Sequence, residues 1–292
     1  MKYKFVHTYR SRFRIQKMCQ VLNISRSGYY KWIHREPSKR AIQEKHLLDN
    51  IKPIFEESRQ TYGSPRVTDT LNKTGIKCSR SRVARIMRKY GIIAKTVRKF
   101  KVTTQSDHNY PISPNLLDGD FSVYYLNEVW VSDITYIRTK EGWLYLTIIM
   151  DLYSRKIIGW SMSHRLTAAL TVIPALKMAC RNSPPSEYTI FHSDRGIQYA
   201  CQKFREALMN CGLKRQSMSG KGNCYDNAVA ESFFHTLKTE LVYHESYKTR
   251  IAARRSIFEY IEVFYNRVRK HSAIGYFSPE DFIKLIFKNK AV

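Results

Sequence analysis

The sequence predicts an α/β protein: a mixed five-stranded sheet with flanking helices, preceded by an all-helical region rich in positive charge. Three observations carry that expectation. Net charge is +26, from 50 Lys and Arg against 24 Asp and Glu, and it is unevenly spread: residues 1–105 hold 26 basic and 6 acidic residues, against 24 and 18 in residues 106–292. Composition changes abruptly at Val129, where apolar, β-branched runs begin. From there three strand-like runs are followed by helix, strand, helix, strand, helix, the order of a mixed sheet. Such a charge asymmetry points to a polyanionic partner rather than to a merely soluble basic surface.

In the first third, Ile15, Met18, Cys19 and Leu22 have helical spacing. Ser25 then caps a second helix through Trp32. Helix, short turn, helix is the shape of a helix-turn-helix unit. A longer helix is expected over Lys39 to Ser58. Ser64-Pro65 opens another, since proline suits the first helical turn, and Gly75 breaks it after Lys73. Ser79 or Ser81 caps SRSRVARIMRKYG, which stops at Gly91. There Val83, Ile86 and Met87 form one apolar stripe, while Arg80, Arg82, Arg85, Arg88 and Lys89 cover much of the rest. Such a helix docks by one face and can reach a major groove with another. The plainer reading is a solvated basic face; the basic background favours DNA contact. The basic run 95–101 and the polar, proline-containing stretch after it place a boundary between 105 and 127.

Beyond the boundary, WVSDITYIRT (130–139) reads as a strand and Lys140-Glu141-Gly142 as a hairpin turn. WLYLTIIMD (143–151) is a second, apolar strand, and Ser154-Arg155-Lys156 turns into a third, IIGWSMS (157–163). Thr167 opens a helix through Ala179, broken between Asn182 and Pro185. TIFHSD (189–194) is a fourth strand, and Gln202 to Asn210 a helix ended by Gly212. Leu213 to Met218 is a short fifth strand. A glycine-rich loop, SGKGNCYDN, leads into a stretch of helical period, Asn227 to Leu241.

Three acids stand out against this map. Asp133 lies inside the first strand, Asp194 ends the fourth, where α/β sheets usually place ligands, and Glu231 lies on the last helix. A carboxylate in or at the end of a buried strand is costly unless something pairs with it. Three brought together repel one another. Mg²⁺ or Mn²⁺ turns that repulsion into binding, because both prefer hard oxygen ligands. That is the chemistry of phosphodiester transfer.

The residues around these acids carry a family resemblance. WVSDITYI (130–137), HSDRGIQY (192–199) and SMSGKGNCYDNAVAESFFHTLKTE (217–240) resemble the DDE core of insertion-sequence transposases encoded in two overlapping frames. The chain is similar to the downstream product, a group within the retroviral-integrase superfamily. YNRVRKHSAIGYFSPEDF (265–282) resembles the end of that core, RQTYGSPRV (59–67) its upstream helix-turn-helix module, and NISRSGYYKW (23–32) the start of the same product. The resemblance spans nearly the whole chain. One departure is the 36 residues between Asp194 and Glu231, one more than is usual in the family. The extra residue falls in GLKRQS (212–217) and leaves the positions flanking all three acids intact.

The resemblance implies an RNase H-like fold in which Asp133, Asp194 and Glu231 ligate two Mg²⁺ (or Mn²⁺) ions, with Asp133 bridging. It implies hydrolysis that frees a 3′-OH at an element end, then attack of that hydroxyl on a second phosphodiester. The expected organisation is a basic helical DNA-binding region at 1–105, a linker at 106–127, a DDE core at 128–245 and a helical extension at 246–292. Expected partners are the element's terminal repeats and target DNA, further copies of the chain on DNA, and the upstream-frame product as a frameshift fusion. An RNase H-like nuclease without strand transfer would use the same triad. A DNA-binding regulator built on a dead core would suit the basic third equally well, but predicts a decayed triad.

Other residues weigh less. Lys238 lies seven residues after Glu231 and so shares its helix face, which suits contact with DNA phosphate. Arg195 and Lys221 lie in loops beside the acids and can touch phosphate. His192 and Ser193 precede Asp194. A histidine at a strand end can orient a ligand, but His192 reads rather as a hydrogen-bonded structural residue. Asp226 and Asn227 read as caps that shape the loop, Asp151 as a turn residue, and Phe233, Phe234 and Leu237 as core. Asp118 and Asp120 are loop acids. No P-loop or GxSxG elbow is present. No apolar stretch of membrane-spanning length and no secretory h-region occurs, so a cytoplasmic, non-membrane protein is expected. The six cysteines form no CxxC pair and read as reduced, mostly buried thiols without structural zinc.

Overall fold

The computed structural model describes residues 1–95, 111–220 and 228–290. Six helices fill the first third: α1 (Lys2–Thr8), α2 (Ile15–Val21), α3 (Arg26–Ile33), α4 (Lys39–Glu57), α5 (Ser64–Lys73) and α6 (Arg80–Lys89). Five of the six were legible from caps and breakers. Ser25 accepts from Gly28 N–H and Ser79 from Arg82 N–H, as N-caps do. Pro65 stands in the first turn of α5, and Gly75, at φ 88°, takes the left-handed turn that ends it. Only α1 was unforeseen. The helices form two small cores: Val6, Met18, Cys19 and Tyr29 join α1 to α3, while Leu47, Ile51, Val67, Leu71, Val83 and Ile86 join α4 to α6.

The second part is a five-stranded sheet of β1 (Val129–Thr139), β2 (Gly142–Asp151), β3 (Ile157–Ser163), β4 (Ile190–Ser193) and β5 (Arg215–Met218), in the order β3-β2-β1-β4-β5. The first three strands are antiparallel neighbours, and β4 and β5 add on parallel to β1. Alternation along the strands feeds two faces. Val129, Val131, Leu144, Leu146 and Ile148 look to one side, where they meet α10 (Ala228–Glu240), α11 (Arg250–Phe258) and the π-helical turn Glu259–Tyr265. Trp130, Ile149, Ile158 and Phe191 look to the other, against α7 (Val172–Asn182), α8 (Ile197–Ala200) and α9 (Gln202–Asn210). A methyl group on Gly159 would stand 2.3 Å from the Ala175 carbonyl, so glycine is what lets α7 lie this close on β3. The final helix, α12, spans Pro279–Lys290.

Two expectations need correction. The helix expected from Thr167 begins at Val172 instead. Pro174 has no N–H to give and its ring crowds the carbonyl four residues back, so it fits only the first turn of a helix. Of the thiols described, only Cys19 is buried; Cys78, Cys180, Cys201 and Cys211 are half-buried.

Both sheet edges are covered, as natural sheets tend to be. Asn266 reaches across to β3, accepting from Ile157 N–H and donating to its carbonyl, both at 3.0 Å. At β5, Met218 N–H bonds to the Pro114 carbonyl and Ser217 Oγ accepts from Leu116 N–H. Residues 111–127, expected as linker, thus lie against the sheet, with Leu117 in its core.

The helical third is pinned to the sheet domain by one stripe of residues spaced at helical intervals. Arg59 pairs with Glu259 at 2.9 Å, Tyr62 Oη donates to the Val268 carbonyl, and Asp69 pairs with Lys270 at 3.0 Å. Lys73 lies 4.4 Å from the centre of the Phe277 ring. In the middle of the stripe Arg66 stands 4.0 Å from Glu240, the last residue of α10. Glu240 also takes a two-pronged bond from buried Arg269, its shortest contact 2.8 Å, and accepts from Tyr260 Oη at 2.7 Å.

Candidate active site

The sheet brings the two aspartates together by register. Ser132 of β1 and Ser193 of β4 are parallel partners, so the next residue on each chain is Asp133 and Asp194. Alternation puts Asp133 on the same face as Val129 and Val131, the face that α10 covers. Phe233, Phe234 and Leu237 bury that helix against the sheet, as expected of them, and Glu231 stands in its first turn. Asp133 and Asp194 are half-buried and Glu231 is exposed.

Electrostatics tie the three acids into one site. Burial first, and then the negative charge of Asp194, hold the Asp133 carboxyl well above the usual carboxylate range; Glu231 adds to the effect, while the Ile134 N–H and Lys238 oppose it. Burial and Asp194 likewise raise Glu231. Lys238, half-buried, is lowered by burial and held up by Asp133, so it faces the site from the same helix as Glu231. Among the described residues no three His, Cys, Asp or Glu side chains are gathered tightly enough to close on one metal ion. The donor set nonetheless suits a hard divalent cation: three carboxylates, no sulfur or imidazole, and mutual repulsion with one lysine to offset it.

Hydrogen bonds fix the surroundings. Asp194 accepts from Gly196 N–H at 3.0 Å, and Asp133 from Ile134 N–H at 2.7 Å. His192 is buried between Ser217 Oγ at 2.8 Å and Ser219 Oγ at 3.4 Å, the structural part expected of it. Asp151 is a buried turn residue, accepting from Ser154 and from Asn127 N–H. Sequence reasoning missed one contact behind the aspartates: Ser132 Oγ and Tyr199 Oη meet at 2.8 Å, fully buried, joining the residue before Asp133 to the short helix after Asp194. Strand alternation was the available signal, since it turns Ser132 to the face opposite Asp133.

The expected phosphate contacts divide. Arg195 is half-buried and donates from Nε to the Ser219 carbonyl at 2.6 Å. Lys221, with Asp226 and Asn227, lies outside the described residues. On α6, Arg80, Arg85 and Arg88 are exposed, whereas Arg82 donates to Gln43 at 3.4 Å and Lys89 pairs with Glu44, both on α4. Part of the basic face therefore braces α6 against α4.

A family model described as an integrase core domain matches residues 126–224, a second integrase core model matches 231–284, and an HTH-like domain model matches 42–100. The transposase InsF of insertion sequence IS3A from Escherichia coli K12 is 44% identical over 284 residues, covering 97% of this chain and 98% of the relative. The chain belongs to the IS3-family transposases. A 31 kDa protein of insertion element IS600 from Shigella sonnei is 46% identical over 265 residues, 91% of this transposase and 97% of that protein. Among solved structures, the catalytic core domain of BIV integrase covers 57% of the transposase and 99% of that chain, at 17% identity and a TM-score of 0.43. No helix among the described residues is long and apolar enough to cross a membrane.

Proposed function

We propose that this IS3-family transposase cuts the ends of its element and joins them to target DNA, with Asp133, Asp194 and Glu231 holding two divalent cations of the Mg²⁺ or Mn²⁺ class. The observation that carries the reading is the register that sets Asp133 beside Asp194, each one residue past the paired Ser132 and Ser193 of neighbouring parallel strands, with Glu231 on the helix that covers the same face. When bound, such ions activate a water or a 3′-OH and stabilise the departing 3′ oxygen. The chain's own part is to place the phosphodiester. Lys238, facing Asp133 from α10, is suited to bind the phosphate, and the exposed Arg80, Arg85 and Arg88 to bind the duplex. Water first breaks a P–O3′ bond at the element end. The freed hydroxyl then attacks a target phosphorus, forming one ester bond as another breaks, so joining needs no nucleotide cofactor. In-line phosphoryl transfer is mostly positioning and charge stabilisation, and no covalent protein nucleophile is required. Pairing two element ends calls for at least two chains, and the upstream-frame product is the proposed fusion partner.

The test is cleavage and joining of a labelled element end, with Mg²⁺ and with chelator, by the chain and by the fusion. Asp133→Asn, Asp194→Asn and Glu231→Gln should each lower both steps by on the order of a thousandfold while leaving duplex binding unchanged. Wild-type joining by any one of them would remove that residue from the site. Cleavage without joining would favour a nuclease.

A further inference from the structure

The family models begin at residue 42, yet α1, α2 and α3 form a packed unit ahead of them. Its four buried residues, Val6, Met18, Cys19 and Tyr29, come from all three helices. Tyr3 of α1 stacks on Trp32 of α3 with ring centres 6.0 Å apart, and a methyl group on Gly28 would stand 2.5 Å from the Tyr3 hydroxyl. Every hydrogen bond and ring contact described for residues 1–35 closes within that stretch. The unit therefore has its own core and its own bonding.

Its second and third helices are joined by Leu22–Ser25. Asn23 there has a φ of 51°, a left-handed turn, and Ser25 caps α3. A three- to four-residue turn between two such helices is helix-turn-helix geometry, in which the second helix enters the major groove. The face of α3 turned away from the core carries Arg26, Ser27, Tyr30 and Lys31, all exposed, with the Arg26 guanidinium 5.7 Å from the centre of the Tyr30 ring. Arg12, Arg14 and Lys17 are exposed on the connection into α2 and on α2 itself. Residues 1–35 hold nine Lys and Arg and no Asp or Glu. A solubilising surface would mix both signs; a face without a single acid is shaped for a polyanion.

We propose that α1 to α3 are a second duplex-DNA-binding module, separate from the α4–α6 unit, with α3 as the helix that enters the groove and Arg26, Ser27, Tyr30 and Lys31 as its contacts. The proposal rests on DNA being this chain's substrate. The experiment uses the full chain, a fluorescent duplex of the element's own terminus and a scrambled duplex, over a range of salt. Arg26→Ala/Lys31→Ala should weaken binding about tenfold and lower the slope of log affinity against log salt by about two. Arg85→Ala/Arg88→Ala reports on α6 in parallel. Lys177→Ala/Lys203→Ala, which removes two exposed charges from α7 and α9, outside both helical units, is the control for net charge and should change affinity little. Wild-type affinity and slope in the α3 variant overturn the module, while a defect confined to the α6 variant leaves the transposase reading standing. An equal loss in the α7/α9 control also overturns it, because net charge alone then explains the effect. A wild-type chain that binds neither duplex defeats both readings. Circular dichroism of each variant shows that loss of binding is not loss of fold.

Discussion

At the scale of single residues the site is defined by what it costs. Burial, and the repulsion of Asp194 and Glu231, keep the Asp133 carboxyl protonated in the folded chain at pH values where the unfolded chain, near 3.8, has released its proton. Folded protein then binds more protons than unfolded, so this group's contribution to stability falls as pH rises through that window. Asp133→Asn removes the cost. In chelator at neutral pH the variant should melt a few degrees above wild type, and the gap should close as pH is lowered towards 3.8. Equal melting temperatures across that range would show that Asp133 is not strained by its neighbours. A variant both more stable and inactive is the behaviour of a residue kept for chemistry rather than for folding. Tyr199 and Ser132 do the opposite service: their buried bond holds together the two backbones that present the aspartates.

Among the elements, α10 has the most demanding position, with Glu231 at one end and Glu240 at the other. Glu240 neutralises Arg269 inside the protein and stands beside Arg66. Removing one partner of a buried pair leaves an uncompensated charge, so Glu240→Ala should cost about 3–5 kcal/mol in a denaturant titration. A loss below about 1 kcal/mol would mean the pair is effectively solvated. Little of this node was legible in the sequence, because Glu240, Arg66 and Arg269 are far apart along the chain and share no period. The strands and caps were legible because their causes are local: Ser25 and Ser79 cap, Gly75 turns, and β-branched residues fill β1. The start of α7 was misread because Thr167 looks like a cap, whereas Pro174, seven residues on, decides where the first turn can lie. That Asp133, Asp194 and Glu231 are carboxylates in costly settings was legible from residue type and context; that Asp133 and Asp194 stand side by side follows only from the register of β1 with β4. The short helix α1 escaped because a basic, aromatic run without a cap carries no strong helical signal.

In the whole molecule, two differently charged parts meet along the stripe from Arg59 to Lys73. That contact makes the α4–α6 unit part of the sheet domain's packing. A chain starting at residue 111 would expose Phe264, Tyr260 and the Glu240 pair, and should be less stable than the full chain and more prone to associate, as thermal melting and sedimentation would show. A fragment that melts with the full chain would mean that the stripe contributes little. The same stripe sets a length. With α5 clamped to the sheet domain, the exposed arginines of α6 keep one distance from Asp133, whatever the path of the chain between residues 95 and 111. Under the proposed function the protein is then a ruler: the number of base pairs between the sequence it grips and the bond it cuts is a dimension of the fold, and an element end lengthened between the two would be held correctly and cut in the wrong place.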